Sequence, residues 1–393
     1  MTKKLYFDDP LRTEFTAEIT GTKRDARGFR VILSSTLFYP TGGGQSHDTG
    51  TIGTARVVDV FPEGGKIVHI LDRDLPPGKY PAKIDWTRRF ANMQHHSGQH
   101  IFSAVFWHEL GRETLSSHIS YETPSTIDFE GDSLSPEELA QAEEMANRIV
   151  FKNCTLKTYF VDSPESVPFR RPPKVEGQIR VVEIDGYDYS ACGGTHVLQA
   201  GMVGMLKIIR TERINQKTRI HFTAGWQTLA FLQETQKCAQ KAAVYLATGV
   251  NDLPSAVEKL SAELKSAQHE LKSLRELKLE IEAEKMVQHA EEVDEKWLIT
   301  KLFENRPPAE LRLLGLKLRA YPNVVAVLGN FDGKKLSLVT ACADETGVNA
   351  SDLLKKHLAP FNAHGGGDSF IAQGGGVAED VDNLFNHSKE FLI

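Results

Sequence analysis

The chain has 393 residues, of which 40% are apolar and 25% are charged, and its formal net charge is −6. This length predicts two to four domains, and the composition is that of a soluble globular protein. Its four cysteines have no paired spacing, its start does not resemble a signal peptide, and no apolar run approaches about 20 residues, so we expect a cytoplasmic protein without disulfides or membrane spans.

The first segment, residues 1–85, alternates short apolar runs with turn residues. Runs such as "FRVILSSTLFYP" and "KIVHILD" predict strands. The stretches "TGGGQSHDTG", "PEGG" and "LPPG" predict the turns between them. Many short strands with glycine-rich turns are typical of a small β-barrel or sandwich, and we predict a β-barrel domain here.

The pattern changes at Trp86, where apolar residues begin to recur at helical spacing until Gly111 ends the run. A second helix is predicted in "SPEELAQAEEMANRIVFKN", with Ser135 as its N-cap. Strands are predicted before and after it, in "SSHISYETPSTIDFEG", "QIRVVEIDGYDYSACGGTHV" and "GMLKIIR" to "TRIHFTAG". The second segment, 86–230, is therefore predicted to be an α+β domain.

The third segment, 231–295, is predicted to be helical. Its apolar residues are spaced 3-4-3-4-3, which is the pattern of a heptad seam. An antiparallel hairpin within one chain and an intermolecular coiled coil both fit a seam of this length. The seam residues are Val257, Leu260, Leu264, Ala267, Leu271 and Leu274.

The last segment, 296–393, is predicted to be a glycine-rich α/β domain. A β-hairpin turns at Asp332-Gly333, and "ASDLLKKHL" predicts a helix. The stretch "NAHGGGDSFIAQGGG" predicts a pair of glycine-dense loops, followed by a helix in "AEDVDNLFNHSKEFL". Backbone amides of "HGGGD" could bind phosphate, and a glycine-rich hairpin or dimer contact fits as well. The spacing is not that of a P-loop, so we expect no nucleotide hydrolysis and an ATP-independent protein.

Two pairs of residues have the spacing of metal ligands. His96 and His100 are four residues apart and share one face of the first predicted helix. Cys192 and His196 are also four apart, and a thiolate with three imidazoles forms a tetrahedral zinc set. The alternative is a core cysteine with unrelated histidines. "HSGQH" lacks the glutamate that serves zinc proteases as a base, which excludes a metalloprotease.

Four segments, "FYPTGGGQSHDTG", "IDWTRRFANMQHHSGQHIFSAVF", "DYSACGGTHV" and "TRIHFTAG", occur in an order and spacing that resemble alanyl-tRNA editing proteins. They resemble the editing domain of alanyl-tRNA synthetase and its stand-alone AlaX relatives, of the long type. The end segment resembles the domain shared by alanyl-tRNA synthetase and DHH phosphoesterases, although no Asp-His-His triplet occurs. The chain departs from its relatives at Thr41 and Ser46, where they often have Glu and Pro.

The resemblance implies one Zn²⁺ per chain, bound by His96, His100, Cys192 and His196. It also implies hydrolysis in trans of the ester of mischarged alanine tRNA, chiefly seryl-tRNA(Ala) and also glycyl-tRNA(Ala), with the tRNA acceptor end as partner. Zinc would either activate water at an open coordination position or shape the pocket from a closed site. A tRNA-binding module with a structural zinc, and a deacylase for another charged tRNA, are the alternatives. The oligomeric state is left undecided by the sequence, and a homodimer through the coiled coil or the last domain is one alternative.

Further site residues are expected near these motifs. Ser116, Ser117 and His118 of "TLSSHIS" lie close to where relatives place the residues that read the substrate hydroxyl, and an ordinary polar strand face fits as well. Gln45 and Asp188 are also expected to bind substrate; Asp188 could orient a ligand imidazole or the substrate amino group, or be a surface acid. Gly193, Gly194 and Thr195 could donate backbone amides to an oxyanion. The net charge does not itself indicate a nucleic-acid partner, but one basic stretch is a candidate RNA surface or a solvated strand face. Its cations are Lys207, Arg210, Arg213, Lys217 and Arg219.

Overall fold

A computed structural model of the chain describes residues 1–173, 177–379 and 381–392. It contains two compact units, Met1–Ala242 and Ala243–Ile393. Each unit combines β-sheets with helices, which confirms the multidomain α+β class. The finer division of the chain at 85, 230 and 295 stays a prediction. Among the described residues, no helix is both long enough and apolar enough to span a bilayer.

The first unit begins with a closed six-stranded barrel. The strands in this part are β1 (Lys3–Lys4), β2 (Glu14–Asp25), β3 (Gly28–Leu33), β4 (Ser35–Thr36), β5 (Gly50–Ile52), β6 (Ala55–Glu63), β7 (Lys66–Leu71) and β8 (Gly78–Ile84). The barrel order is β2-β3-β7-β6-β5-β8, and β1 pairs with β4. Apolar residues such as Val31, Val57 and Leu71 are completely buried or nearly so, because alternate side chains of each strand point inward.

The central helix, α1 (Trp86–Leu110), follows the barrel directly. The side chain of Asp85 caps it by accepting a hydrogen bond from the Arg88 N–H, and Gly111 ends it in the left-handed conformation at φ 61°. Every residue from 91 to 106 is buried, including the polar ones. A helix enclosed on all sides holds its side chains rigidly, which suits a binding site.

Two sheets and two further helices follow α1 in the chain. The elements are β9 (Thr114–His118), β10 (Ser125–Glu130), α2 (Pro136–Lys152), β11 (Leu156–Val161), β12 (Ile179–Ile184), β13 (Asp188–Ala191), β14 (Leu206–Ile214), β15 (Lys217–Ala224) and α3 (Gly225–Tyr245). One sheet has the order β14-β15-β10-β9 and the other β11-β12-β13. Ser135 and Glu138 form the capping box that begins α2.

A buried ion pair connects α1 to the barrel segment. Arg89 and Asp48 are both completely buried, and the Arg89 Nε lies 2.9 Å from the Asp48 Oδ2. Arg89 also donates to the carbonyl oxygens of Pro10 and Leu37. The same Asp48 oxygen accepts the Tyr39 N–H at 2.7 Å. All these groups are therefore hydrogen-bonded, as buried charges require.

The second unit contains a six-stranded sheet, of order β16-β17-β18-β19-β21-β20, and helices. Its elements are α4 (Leu253–Gln288), β16 (Glu291–Val293), β17 (Lys296–Glu304), α5 (Pro308–Leu318), β18 (Val324–Phe331), β19 (Lys335–Cys342), α6 (Ala350–Leu358), β20 (His364–Gly367) and β21 (Ile371–Val377). The predicted seam lies along α4, and each of its residues is exposed to solvent. Its packing partner therefore stays a prediction.

The glycine-rich stretch was predicted as a pair of loops with a hairpin as an alternative, and the hairpin is confirmed, whereas the helix predicted after it was wrong. The stretch "HGGGDSFIAQGGG" forms the paired strands β20 and β21, because its glycines let the two backbones approach. A Cβ on Gly365 would lie 2.5 Å from the Gln373 carbonyl oxygen. Residues 382–392 form consecutive turns where a helix was predicted. Their hydrogen bonds mostly span three residues, as in Leu384 N–H to Val381 C=O, and Asp, Asn and Ser side chains compete with the helical pattern.

Candidate metal centre

Two helix residues and two loop residues meet to form a cluster with the chemistry of a metal site. His96 and His100 extend from adjacent turns of α1, while Cys192 and His196 lie in the loop after β13. The Cys192 Sγ lies 3.4 Å from the Nε2 atoms of both His96 and His196. All four ligand atoms lie within 4.8 Å of one another. Tetrahedral zinc, with bonds of about 2.0–2.3 Å, needs such separations.

Hydrogen bonds fix the tautomer of His96. The Gln45 Oε1 lies 2.7 Å from the His96 Nδ1 and also accepts the Thr195 N–H. The Thr195 N–H can only donate, which identifies the amide atom that it contacts as oxygen, and the Gln45 Nε2 then donates to the Thr195 hydroxyl. His96 must therefore carry its proton on Nδ1, and its Nε2 lone pair faces the cluster. Support of this kind is typical of imidazoles that bind metals.

The other two imidazoles differ in their support. The His196 Nδ1 lies 3.2 Å from the hydroxyl of Ser97, which also accepts the Val197 N–H. The His100 Nδ1 is buried and has no hydrogen-bond partner among residues 1–173, 177–379 and 381–392. Two of the three rings are thus oriented by the protein itself.

Burial shifts the acidity of the cluster. It lowers the pKa of His96 to about 3 and holds the pKa values of His100 and His196 well below their usual range. All three rings are neutral at physiological pH, which is the form that binds metals. Burial raises the pKa of the Cys192 thiol, while the Gly194 N–H and the Arg180 charge act to lower it. A bound cation would hold that thiol as a thiolate.

A second group of residues holds the loop in place. The Arg180 guanidinium, on β12, donates from Nη1 to the carbonyl oxygens of Cys192 and Gly194 at 2.9 and 2.8 Å. A Cβ on Gly194 would collide with the His96 ring, so only glycine fits this position. Arg180 was not predicted from the sequence, because an arginine within a strand has no local pattern that marks such a role.

Replacing Gln45 with leucine should lower zinc affinity by about 10–100-fold, the usual cost of removing a residue that orients a metal-binding imidazole. The leucine would leave the His96 Nδ1 proton without its acceptor. Competition with a chromophoric chelator measures the affinity. Gln178→Leu is the matched control, because Gln178 lines the neighbouring cavity but its amide contacts Asp162. Equal affinity in wild type and Gln45→Leu would contradict the role given to Gln45.

The cluster forms part of the wall of a cavity of about 770 Å³. The cavity is also lined by Gly43 and by Thr114, Leu115, Ser116 and Ser117 of β9. Four cations line it, Lys4, Arg170, Arg171 and Arg180, against one carboxylate, Glu113. Two of these cations are already paired, Arg170 with Asp188 and Arg171 with Glu113. Within the described residues, Lys4 and Arg180 are therefore the ones left to attract an anionic ligand, although the chain as a whole has a net charge of −6.

The three residues predicted to read a substrate hydroxyl have different positions. Ser116 and Ser117 line the metal cavity, but His118 lies at a separate cavity with Arg210 and His221. The Ser116 hydroxyl donates to the Asp128 Oδ2 at 2.8 Å. Ser117 pairs with buried Ile127, so its side chain extends from the opposite face of the sheet. The structure therefore separates His118 from the other two.

The contacts of Asp188 and of the Gly193-Gly194-Thr195 loop differ from those expected for their predicted roles. Asp188 is paired with Arg170 at 3.0 Å and accepts a hydrogen bond from Ser190, whereas Gln45 is the residue that orients a clustered imidazole. The Gly194 and Thr195 N–H groups already donate to the Cys192 Sγ and the Gln45 Oε1. Of the three predicted oxyanion donors, only the Gly193 amide has no acceptor within the described residues and is left for a ligand.

Most cations of the predicted RNA surface are paired with carboxylates. Arg219 contacts Asp128 at 2.6 Å. Within the described residues Lys217 forms no such pair, whereas the other three cations form similar ion pairs. These are Lys207 with Glu143, Arg210 with Glu212, and Arg213 with Asp132. The pairing weakens the case for this stretch as a phosphate-binding surface and favours the solvated strand face.

Comparison with known proteins finds similarity in the same regions. A family model described as the threonyl and alanyl tRNA synthetase second additional domain matches residues 179–221, which include Cys192 and His196. The alanine–tRNA ligase of Methanosarcina barkeri is 31% identical over 403 residues, covering 96% of this chain and 42% of that protein. The Pyrococcus abyssi ligase is 31% identical over 392 residues, covering 95% and 42%.

The chain thus spans less than half the length of these relatives. The ligase of Ignicoccus hospitalis is 34% identical over 284 residues, covering 67% of this chain and 30% of that protein. The crystal structure of the C-Ala domain from Aquifex aeolicus alanyl-tRNA synthetase is 31% identical and covers 26% of this chain and 96% of that one. Its TM-score is 0.25, so this last likeness is one of sequence alone.

Proposed function

Since the chain is an AlaX-like alanyl-tRNA editing relative, we propose that it hydrolyses the ester of mischarged alanine tRNA in trans, chiefly seryl-tRNA(Ala) and also glycyl-tRNA(Ala). The observation that carries the proposal is the buried cluster of one thiol and three imidazoles in the wall of a cationic cavity. The cavity has space for an aminoacyl group and part of the nucleotide that carries it. Its excess of cations favours a phosphodiester chain.

The reaction adds water across the bond between the acyl carbon and the ribose oxygen. It releases the free amino acid and restores the tRNA hydroxyl. Zinc held by His96, His100, Cys192 and His196 would supply Lewis acidity toward the carbonyl or the attacking water. The Gly193 N–H is an available donor for charge on the carbonyl oxygen. Arg180 holds the loop that contains Gly193, so the donor stays fixed during the reaction.

Replacing Ser117 with alanine should lower the preference for seryl- over alanyl-tRNA by about 3–10-fold, the usual worth of one neutral hydrogen bond. Ser117 lines the cavity, and its side chain extends from the buried face of β9. Steady-state rates on the two substrates give the ratio. Ser116→Ala is the matched control, because Asp128 already binds the Ser116 hydroxyl. A larger effect of the control than of Ser117→Ala would reject Ser117 as the residue that reads the hydroxyl.

The proposal is tested by release of labelled serine from seryl-tRNA(Ala), with and without a zinc chelator. We expect release that the chelator stops and that added zinc restores. Alanyl-tRNA(Ala) and seryl-tRNA(Ser) serve as control substrates and should remain charged. No release by a folded, zinc-loaded protein would reject the proposal.

One observation favours a second candidate, a tRNA-binding module with a structural zinc. Four protein ligands complete a tetrahedral set and leave no open position, as in structural zinc sites. In that case the protein would bind seryl-tRNA(Ala) without hydrolysing it. A deacylase for another charged tRNA would instead release the amino acid only from that substrate.

A further inference from the structure

A second cavity, of about 300 Å³, lies in the first unit and is lined by four aromatic side chains. Trp86 and Phe90 come from the first turns of α1, with their rings stacked 5.1 Å apart. Tyr121 follows β9, and Trp226 is in the first turn of α3. Trp226 is 71% exposed and Trp86 36% exposed, so a ligand can reach both indole rings. We call this site the aromatic cavity.

A residue in the wall of the aromatic cavity has a buried acceptor without a donor. Gln94 lines it and is only 4% exposed. The Gln94 Nε2 donates to the Met202 carbonyl oxygen at 3.0 Å, which leaves Oε1 as the acceptor. Within the described part of the chain, that oxygen has no hydrogen-bond partner. A buried carbonyl oxygen is costly to leave unpaired, so a ligand that donates a hydrogen bond would be favoured.

Two segments connect the aromatic cavity to the metal cavity. On α1, Phe90 precedes His96 by six residues, which is about 9 Å at the helical rise of 1.5 Å per residue. On the other side, Tyr121 follows Ser117 by four residues. The aromatic cavity is therefore close enough to hold a neighbouring part of a strand whose end lies in the metal cavity.

We propose that the aromatic cavity binds one unpaired, amino-bearing nucleobase of an RNA strand, stacked on Trp226 and donating to the Gln94 Oε1. This inference rests on the proposed function in taking RNA as the substrate class. Aromatic side chains that receive splayed bases are a common means of binding single-stranded RNA. The volume is at the lower end for ligand pockets, which suits a single base.

The unpaired acceptor distinguishes among the bases. The amino group of cytosine, adenine or guanine can donate to a carbonyl oxygen. The ring N–H of uracil lies between two carbonyl oxygens, which would repel the Gln94 Oε1. Uridine is therefore the matched negative probe.

The test is the binding of fluorescently labelled cytidine and uridine hexamers to the full chain. We expect the cytidine hexamer to bind more tightly, and Trp226→Ala to weaken its binding about tenfold, as for loss of one stacked base. Trp107→Ala is the matched control, because Trp107 is a partly exposed tryptophan at the other end of α1, outside the aromatic cavity. It should bind the hexamer as the wild type does.

Gln94→Leu tests the acceptor separately, after circular dichroism has shown that the variant folds. We expect it to reduce the preference for cytidine over uridine while both hexamers still bind. Equal binding by wild type and Trp226→Ala would overturn the proposal, as would an unchanged cytidine preference in folded Gln94→Leu. If Trp226→Ala instead dissociates a dimer in sedimentation and leaves RNA binding intact, the cavity is a protein contact.

These measurements are independent of deacylation. Binding that depends on Trp226 in a protein that releases no serine would uphold this inference and reject the proposed function. Normal serine release with no effect of Trp226→Ala on hexamer binding would uphold the proposed function and reject this inference.

Discussion

Replacing Cys192 with alanine should remove zinc from the protein and lower the rate of serine release from seryl-tRNA(Ala) by about 10³-fold or more. The thiol is the only sulfur ligand of the cluster and contacts two of its imidazoles. Lewis acid assistance is worth several kcal/mol, and each 1.36 kcal/mol is a factor of about ten in rate. Atomic absorption of the purified variant gives the zinc content, and a single-turnover assay gives the rate.

Cys238→Ala is the control for this substitution, because Cys238 is an exposed cysteine on α3 away from the cluster. It should retain both zinc and activity. A Cys192→Ala protein that is free of metal yet fully active would show that hydrolysis does not need zinc. A variant that keeps its zinc but loses activity would show that the thiol acts in some other way.

Zinc affinity of the wild type should rise with pH by about tenfold per unit while the thiol is protonated in the metal-free protein. Burial raises the pKa of the Cys192 thiol, so the free protein holds a proton there at neutral pH. Binding of zinc must release that proton. The imidazoles contribute little to this slope, since their pKa values are lowered and they are already neutral. Chelator competition between pH 6 and 8 measures the slope, and a flat profile would contradict it.

Replacing Arg89 with methionine should lower the free energy of unfolding by about 3–5 kcal/mol, the usual cost of breaking a buried ion pair. Methionine fills much of the same space but leaves the Asp48 carboxylate buried without its cation. It also leaves the carbonyl oxygens of Pro10 and Leu37 without donors. Urea unfolding followed by circular dichroism measures the loss.

Arg88→Met, one residue earlier on α1, is the matched control. Arg88 pairs with Glu122, whose side chain is 72% exposed, and donates to the His47 carbonyl oxygen. Its replacement should cost less than that of Arg89, because the Glu122 carboxylate that loses its partner stays in water. An equal effect of the two substitutions would show that the buried pair has no special weight. Asp48→Leu with Arg89→Met should cost less than the sum of the two single changes, because the double variant leaves no unpaired charge.

The sequence by itself determined the features that depend on neighbouring residues. Helical periodicity and the flanking residues Asp85 and Gly111 set the bounds of α1. Spacing of four residues put His96 and His100 on one face of that helix, and the same spacing separates Cys192 from His196. Such features can be read locally, because dihedral preferences and helix geometry act over a few residues.

Only the tertiary structure decided which distant residues support the cluster. Gln45 was expected at the substrate but contacts His96 and Thr195, the latter 150 residues along the chain. Arg180 supports the Cys192–His196 loop from another strand, and His118 lies at a cavity separate from that of the metal cluster. The unpaired Gln94 acceptor likewise belongs to a cavity whose lining residues come from both α1 and α3. These contacts form between elements that are distant in sequence. They depend on how those elements pack, which a local pattern of residues does not specify.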